Sequence, residues 1–256
     1  MGAAPSPAST FGAYIIGDEI LSGKRTDRHF TQIVAMLQAR GLSLSWCNYL
    51  GDDPQRITAS LQRSMAGDDI VFCLGGIGAT PDDYTRQCAA DAAGLAIERH
   101  AGAVAEIEAQ FGERAYPQRV LMADFPAGAM LIPNPVNRVP GFSLGRHHFL
   151  PGFPEMAWPM MAWVLDHHYA GTLRSPTCIE AAVLVYDAGE SRLLDLMHDI
   201  VRRFPEVKLF SLPKLDARRT IELGVKGNPT LVAVAIDEIK AGITAAGFTW
   251  EAIASS

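Results

Sequence analysis

Leu74-Gly75-Gly76-Ile77-Gly78-Ala79-Thr80-Pro81-Asp82-Asp83-Tyr84-Thr85 follows a run, Asp69 to Leu74, that reads as a buried strand, and precedes a helical segment from Asp82 to Ala93. Three glycines remove side chains where the backbone must turn sharply and where a ligand would approach it. The amides at the following helix start can receive an anion, and a phosphate fits that description. No Gly-Lys-Ser/Thr follows, so the loop is not a Walker loop, and it lacks the third glycine of the dinucleotide fingerprint. The plain alternative is a tight strand-to-helix turn capped by Asp82.

Outward from this loop the pattern repeats. Toward the N-terminus, Phe11 to Ile16 is a short apolar strand that ends in Gly17-Asp18-Glu19. Asp27 then precedes Phe30, Ile33, Val34 and Leu37 at helical spacing, and Gly41 marks the stop. A strand follows at Leu42 to Leu50. Asp53 before Pro54 signals a cap and first turn for a helix with Ile57, Leu61 and Met65 on one face. Three βα units with continuous apolar strands predict a parallel sheet covered on both faces, hence a three-layer αβα domain. Toward the C-terminus, helices are expected near Ala103–Phe111, Pro117–Ala123 and Pro154–His168, with strands near Ala129–Ile132 and His148–Leu150.

After a linker at Gly171–Pro176 the order changes. Strands at Cys178–Tyr186, Val207–Leu212 and Thr220–Val225, helices at Ser191–Phe204 and Pro229–Ala246, and a closing strand at Phe248–Ile253 give βαββαβ, a small ferredoxin-like α+β module. The predicted organisation is a disordered lead over 1–11, the α/β domain over 12–170 and the small module over 175–256.

Composition limits the function. The 256 residues are 48% hydrophobic and 20% charged, which is globular rather than disordered or fibrous. A formal charge of −6 argues against a broad nucleic-acid or anionic-membrane surface. Cys47, Cys73, Cys88 and Cys178 are widely spaced, without zinc or C-x-x-C spacing, and read as free thiols in a reducing compartment. The first residues resemble no signal peptide and no run is long enough to span a bilayer, so a cytoplasmic protein is expected.

The chemistry is expected at the carboxyl ends of the strands, where open α/β sheets form their ligand crevice. Asp82 and Asp83 beside the phosphate seat suit Mg²⁺ or another hard divalent cation, which takes one or two carboxylates and completes its shell with phosphate oxygens and water. Asp18-Glu19 and Asp52-Asp53 end the first two strands. Asp53 is explained by capping, which leaves Asp52 as a site candidate. Acidic groups at three strand ends repel one another unless a cation joins them.

In order along the chain, Gly17-Asp18-Glu19-Ile20-Leu21-Ser22-Gly23, Gly51-Asp52, Gly75 to Thr85, Asn134-Pro135 with Pro140-Gly141-Phe142, and Leu150 to Met156 resemble the MoaB/Mog molybdopterin-binding domain, as found at the N-terminus of CinA-type competence/damage-inducible proteins. The resemblance spans roughly 12–170. It implies a domain that binds molybdopterin or another pterin or nucleotide phosphate, with Mg²⁺-dependent pyrophosphate cleavage or adenylyl transfer in several members. Carried over by position, Asp52 and Asp83 would be catalytic and Asp82 and Asp83 would hold metal. Gly75, Gly76, Gly78, Thr80, Thr85, Asp18, Glu19, Ser22, Asp27, Asn134, Pro151 and Gly152 would bind the ligand. His29 and Asn137 depart from the family pattern, which usually has Asn and Gly there. The C-terminal deamidase domain of CinA-type proteins has no counterpart in the remaining residues. The resemblance also implies a homo-oligomer, with a dimer favoured.

Other features are weighed against simpler readings. His147-His148 and His167-His168 are adjacent pairs whose members face opposite ways on a strand or helix, so neither pair chelates a metal well. Met156, Trp158, Met160, Met161 and Trp163 follow helical spacing and suit a core, with Phe153 and part of this set offered as a subunit contact. Lys24, Arg25, Arg28 and Arg138 could balance phosphate charge. Two functions remain open: an enzyme cleaving a pyrophosphate, and a non-catalytic pterin or nucleotide binding module or oligomerisation scaffold.

Overall fold

A computed structural model describes residues 10–170, 179–215 and 219–253. The chain divides into two compact units, 1–173 and 174–256.

In the first unit, β1 (Phe11–Ile16), β2 (Leu44–Leu50), β3 (Ile70–Leu74), β6 (Met130–Ile132), β7 (Gly141–Leu144) and β8 (His147–Leu150) form a six-stranded sheet in the order β2-β1-β3-β8-β7-β6. The pairs β2/β1, β1/β3 and β3/β8 are parallel, and the hairpins β8/β7 and β7/β6 are antiparallel. A two-stranded antiparallel ribbon, β4 (Ile97–Arg99) with β5 (Asp124–Pro126), lies outside it. Helices α1 (Asp18–Leu21), α2 (His29–Gln38), α3 (Pro54–Met65), α4 (Thr85–Ala93), α5 (Ala101–Phe111) and α6 (Pro154–His168) complete the unit.

Strand periodicity builds the three layers, because successive side chains alternate between sheet faces. Phe11, Ala13, Ile70, Phe72 and Leu74 pack with Ile33 and Leu37 of α2 and Met160, Met161, Val164 and Leu165 of α6. Tyr14, Ile16, Val71 and Cys73 pack on the other face with Ile57 and Leu61 of α3, Cys88 and Ala89 of α4, and Ile107 of α5. Two of the expected helix ends are built as the sequence suggested. The Asp53 carboxylate accepts from the Gln55 and Arg56 amides, and Gly41 turns the chain with φ 69°.

Four expectations change. The strand expected over Phe11–Ile16 is built as β1, so Phe11, which the domain bounds had also put at the end of the lead, is a buried strand residue; residues 1–9 lie outside the described residues. The helix expected from Asp82 starts at Thr85, because the Asp83 carboxylate folds Thr80 back into a separate turn. Instead of a helix over Pro117–Ala123 there is a five-residue 3₁₀ turn, Arg119–Ala123. β5 begins at Asp124, so too few residues remain to repay the unpaired amides of an α-helix start. The apolar face of α6 is absorbed by the sheet, which removes the sequence argument for a subunit contact there; only Phe153, just before the helix, stays half exposed at 51%.

The second unit is β9 (Ile179–Tyr186), α7 (Glu190–Arg203), β10 (Lys208–Leu215), β11 (Arg219–Gly227), α8 (Pro229–Ala245) and β12 (Trp250–Ala252). Its sheet is antiparallel in the order β10-β11-β9-β12, the ferredoxin-like arrangement. Leu193, Met197 and Ile200 of α7 and Val232, Ile239 and Ile243 of α8 share one core with Val183, Val185, Leu223 and Val225. The expected linker 171–176 and Cys178 lie outside the described residues.

Candidate functional site

Strand β1 is followed in sequence by β2 on one side and then by β3 on the other, so the order reverses between β1 and β3. In open α/β sheets that switch point is where a crevice forms beyond the carboxyl ends of the strands. A cleft of about 420 Å³ occupies it. Its lining includes Glu19 after β1, Asp52 after β2, the Gly75–Thr80 loop with Asp82 and Asp83 after β3, Asn134, and Pro151 with Gly152 after β8. Phe111, Met122, Val139 and Met156 supply apolar wall.

The glycines of the loop are required by the protein itself. Gly75 has φ 117°, and a Cβ there would strike the Ile16 carbonyl of the neighbouring strand end. Gly76 has φ 68°, and its Cβ would strike the Thr85 hydroxyl; a Cβ at Gly78 would come within 2.5 Å of the Asp83 carboxylate. The loop is therefore wound against β1 and α4, which leaves its outer backbone facing the cleft. Asp83 holds the winding, since its Oδ2 accepts from the Thr80 amide at 2.8 Å and the Thr80 hydroxyl at 2.5 Å. Thr85 donates its amide to the Gly76 carbonyl at 2.9 Å, and its buried hydroxyl has no partner among the described residues.

Arg86 is the residue that sequence reasoning missed. Its guanidinium donates to the carbonyl of Gly78 at 2.6 Å and to those of Leu121 and Asp124, tying the glycine loop to the 3₁₀ turn and β5. A signal was present: a basic residue in the first turn of a helix opposes the helix dipole and needs another reason to be there. Burial lowers the Arg86 pKa, with Asp124 and Asp83 opposing the shift.

Asp52 and Asp18 lock the first two strand ends together. The Asp18 amide donates to Asp52 Oδ2 at 2.9 Å, and the Asp52 amide donates to Asp18 Oδ1 at 3.2 Å. Burial raises the Asp52 pKa, and the Asp18, Glu19 and Asp82 carboxylates push it further. Across the cleft, Asn134 is buried and organises its turn, accepting from the Val136 amide at 3.0 Å and donating to Asn137 Oδ1 at 2.7 Å and the Val139 carbonyl at 2.9 Å. Asn137 is thus a working part of that turn, and both asparagines line the cleft.

The other sequence-named residues stand elsewhere. Asp27 accepts from the His29 and Phe30 amides at the start of α2 and from the Tyr49 hydroxyl, and is not in the lining. Asp18, Ser22 and Thr85 are also outside it. His29 is 4% exposed, and its Nε2–H donates to the Gly152 carbonyl at 3.0 Å, fixing the loop between β8 and α6. Of the four basic residues, Arg25 lines the cleft, while Arg138 pairs with Glu106 at 2.8 Å. His147 bonds Ser64 on one face of the sheet and His148 bonds Ser143 and Tyr169 on the other, as adjacent strand positions require.

The donor set is acidic and hard: Glu19, Asp52, Asp82 and Asp83 against Arg25. Among the described residues no three His, Cys, Asp or Glu side chains gather into a metal cage. Carboxylates that line the cleft singly or in pairs suit the way Mg²⁺ is held by one or two carboxylates together with phosphate oxygens and water.

These features define an α/β domain with a wound glycine loop beside a carboxylate-rich cleft at a topological switch point. The chain belongs to the molybdopterin-binding domain family: the family model described as "Probable molybdopterin binding domain" matches residues 12–169. Among curated relatives, a CinA-like protein of Anaeromyxobacter sp. (strain K) is 34% identical over 159 residues, 59% of this chain and 39% of the relative. The chain therefore spans about two fifths of the length of that relative. A protein of Pyrobaculum calidifontis is 29% identical over 215 residues, 79% of this chain and 80% of its own, a match too long for the first unit alone. The crystal structure titled as the protein CinA with unknown function from Thermoplasma acidophilum superposes with TM-score 0.57 at 26% identity, covering 62% of this chain and 98% of its own. Among the described residues no helix is long and apolar enough to cross a membrane.

Proposed function

We propose that the chain binds a phosphorylated pterin or nucleotide in the cleft after β1 and β3 and cleaves its pyrophosphate with the help of Mg²⁺. The observation that carries this reading is the wound glycine loop at the switch point, which turns backbone toward a cleft rich in carboxylates. Outward amides receive the phosphate. The carboxylates would repel it unless a cation is shared, so phosphate and metal bind together.

Asp82 and Asp83 would hold Mg²⁺, which when bound supplies charge neutralisation at the phosphorus. The Gly75–Gly78 backbone orients the phosphoryl group, and Arg25 balances a second charge. Asp52, whose pKa burial raises, takes a proton from water as the water oxygen attacks phosphorus. One phosphoanhydride bond breaks, and two phosphate monoesters leave. Phosphoryl transfer asks for little beyond such positioning and neutralisation.

The test is turnover of ADP-ribose and dinucleotides with and without Mg²⁺, with Asp52→Asn beside wild type. A drop of at least about tenfold, roughly 1.4 kcal/mol, is expected. Binding without turnover would refute the enzyme and leave a carrier. A homodimer belongs to the same proposal, and light scattering giving a monomer would refute it.

A further inference from the structure

The peptides of the glycine loop are trans, so each carbonyl and the amide that follows it point opposite ways. Whatever holds a carbonyl therefore aims the next amide. The Gly76 carbonyl accepts from the Thr85 amide at 2.9 Å, and the Gly78 carbonyl accepts from the Arg86 guanidinium at 2.6 Å. Thr85 and Arg86 lie behind the loop, outside the lining of the cleft, whereas Ile77 and Ala79 line it. The Ile77 and Ala79 amides thus turn toward the cleft, and among the described residues neither finds an acceptor. Two open donors on one side of a turn form a seat for an anion.

We propose that Arg86 is a positioning residue for this seat: by holding the Gly78 carbonyl it aims the Ala79 amide at the phosphate, and its charge stands behind the loop to attract the same anion. The inference rests on the phosphate reading above, to which it adds two named donors and the side chain that sets one of them. The two donors differ in what they depend on. Ile77 is set by the backbone of Thr85, which any residue there would supply; Ala79 is set by a side chain. Two further observations separate Arg86 from a brace that serves the fold alone. A cation in the first turn of α4 opposes the helix dipole, yet the guanidinium and the positive helix end add their potentials at the loop in front of them. The Arg86 Nε is also buried without an acceptor, a cost that a residue chosen for stability alone would avoid. Its bonds to the Leu121 and Asp124 carbonyls fix the plane of the guanidinium, which a point charge such as an ammonium would not reproduce.

The experiment titrates the intact, isotope-labelled chain with inorganic pyrophosphate in Mg²⁺, reading affinity by calorimetry and the loop amides by NMR. Wild type is compared with Arg86→Met and with Leu61→Ala, a core truncation that lowers stability without touching the loop. In wild type the Ile77 and Ala79 amides should respond more than any other amide of the loop. Arg86→Met should bind pyrophosphate at least tenfold more weakly and lose the Ala79 response while keeping that of Ile77. Leu61→Ala should stay within twofold and keep both responses. If Arg86→Met does not fold, judged by circular dichroism, Arg86→Lys replaces it, since it keeps the charge without the fork, and the same loss of the Ala79 response is expected. A wild-type response centred on other amides, an Ala79 response that survives the Arg86 variant, joint loss of both responses, or an equal loss of affinity in Leu61→Ala would overturn the role of Arg86 and spare the phosphate site. Wild type that binds no pyrophosphate overturns both.

Discussion

Replacing Gly76 by alanine tests whether the glycine loop is shaped by the protein or merely tolerates its ligand. Gly76 sits at φ 68°, and a new Cβ would meet the Thr85 hydroxyl and come within 3.2 Å of Thr85 Cβ. The left-handed conformation costs a non-glycine residue about 1–2 kcal/mol. Overpacking against a fully buried Thr85 adds about 1–3 kcal/mol. The sum is about 2–5 kcal/mol, and only the second part depends on Thr85. In a Thr85→Ala background the hydroxyl is gone, so Gly76→Ala should cost about 1–3 kcal/mol less than in wild type. Urea unfolding followed by tryptophan fluorescence measures this, because Trp46, Trp158 and Trp163 lie in the first unit and Trp250 in the second. Equal costs in the two backgrounds would refute the collision argument. A cost below about 1 kcal/mol in both would refute the conformational one.

Thr85→Val should be neutral or stabilising by up to about 1 kcal/mol, since it removes a buried hydroxyl without a partner while keeping the shape; a loss above 1 kcal/mol would mean that the hydroxyl is bonded. Arg86→Met should destabilise the first unit by about 2–4 kcal/mol, because the carbonyls of Gly78, Leu121 and Asp124 lose a charged donor, and unchanged urea midpoints would contradict this. Acid should weaken the fold through His147 and His148, whose pKa values burial pushes down to about 4 and about 3. Both are neutral when folded and protonate near 6.5 when unfolded, so their stabilisation is complete above pH 6.5 and falls as pH drops toward 4, by about 2 kcal/mol each at pH 5; a flat stability profile from pH 7 to 5 would refute it. Asp52→Asn should raise stability at neutral pH, since the raised carboxylate pKa means that ionisation opposes folding there, while it weakens any Mg²⁺-dependent binding; thermal melts with and without Mg²⁺ separate the two effects.

The parts of the molecule legible in the sequence are those where one local rule decides. The β1 and β3 runs are apolar at every position because both sheet faces are covered, and Asp53-Pro54 writes a helix start in two residues. The elements that escaped reading are decided by partners far along the chain. β7 contains Ser143, which looks like a turn residue until His148 is placed opposite it and accepts or donates the buried hydrogen bond. β4 and β5 are three residues each and exist through their mutual pairing. Pattern alone gave no sign of β4 and β5, whereas a hairpin turn at Arg146 and His147 leading into β8 was legible and is built as the β7/β8 hairpin.

The site follows the same division. That a glycine loop and acidic strand ends gather at one crevice is a consequence of parallel topology, and the residues alone imply it. The reason for the glycines could not be read, because it depends on which atoms lie behind the loop: the Ile16 carbonyl, the Thr85 side chain and the Asp83 carboxylate. Asp83 illustrates the difference. As a sequence it is a free carboxylate beside a phosphate seat; in the fold its Oδ2 is already bound by Thr80, so Asp83→Asn would loosen the loop as well as any metal site. Loss of activity in that variant therefore cannot distinguish a ligand of Mg²⁺ from a brace of the loop. Asp52→Asn tests the chemistry apart from the brace, since its carboxylate lines the cleft and none of its bonds reaches the glycine loop.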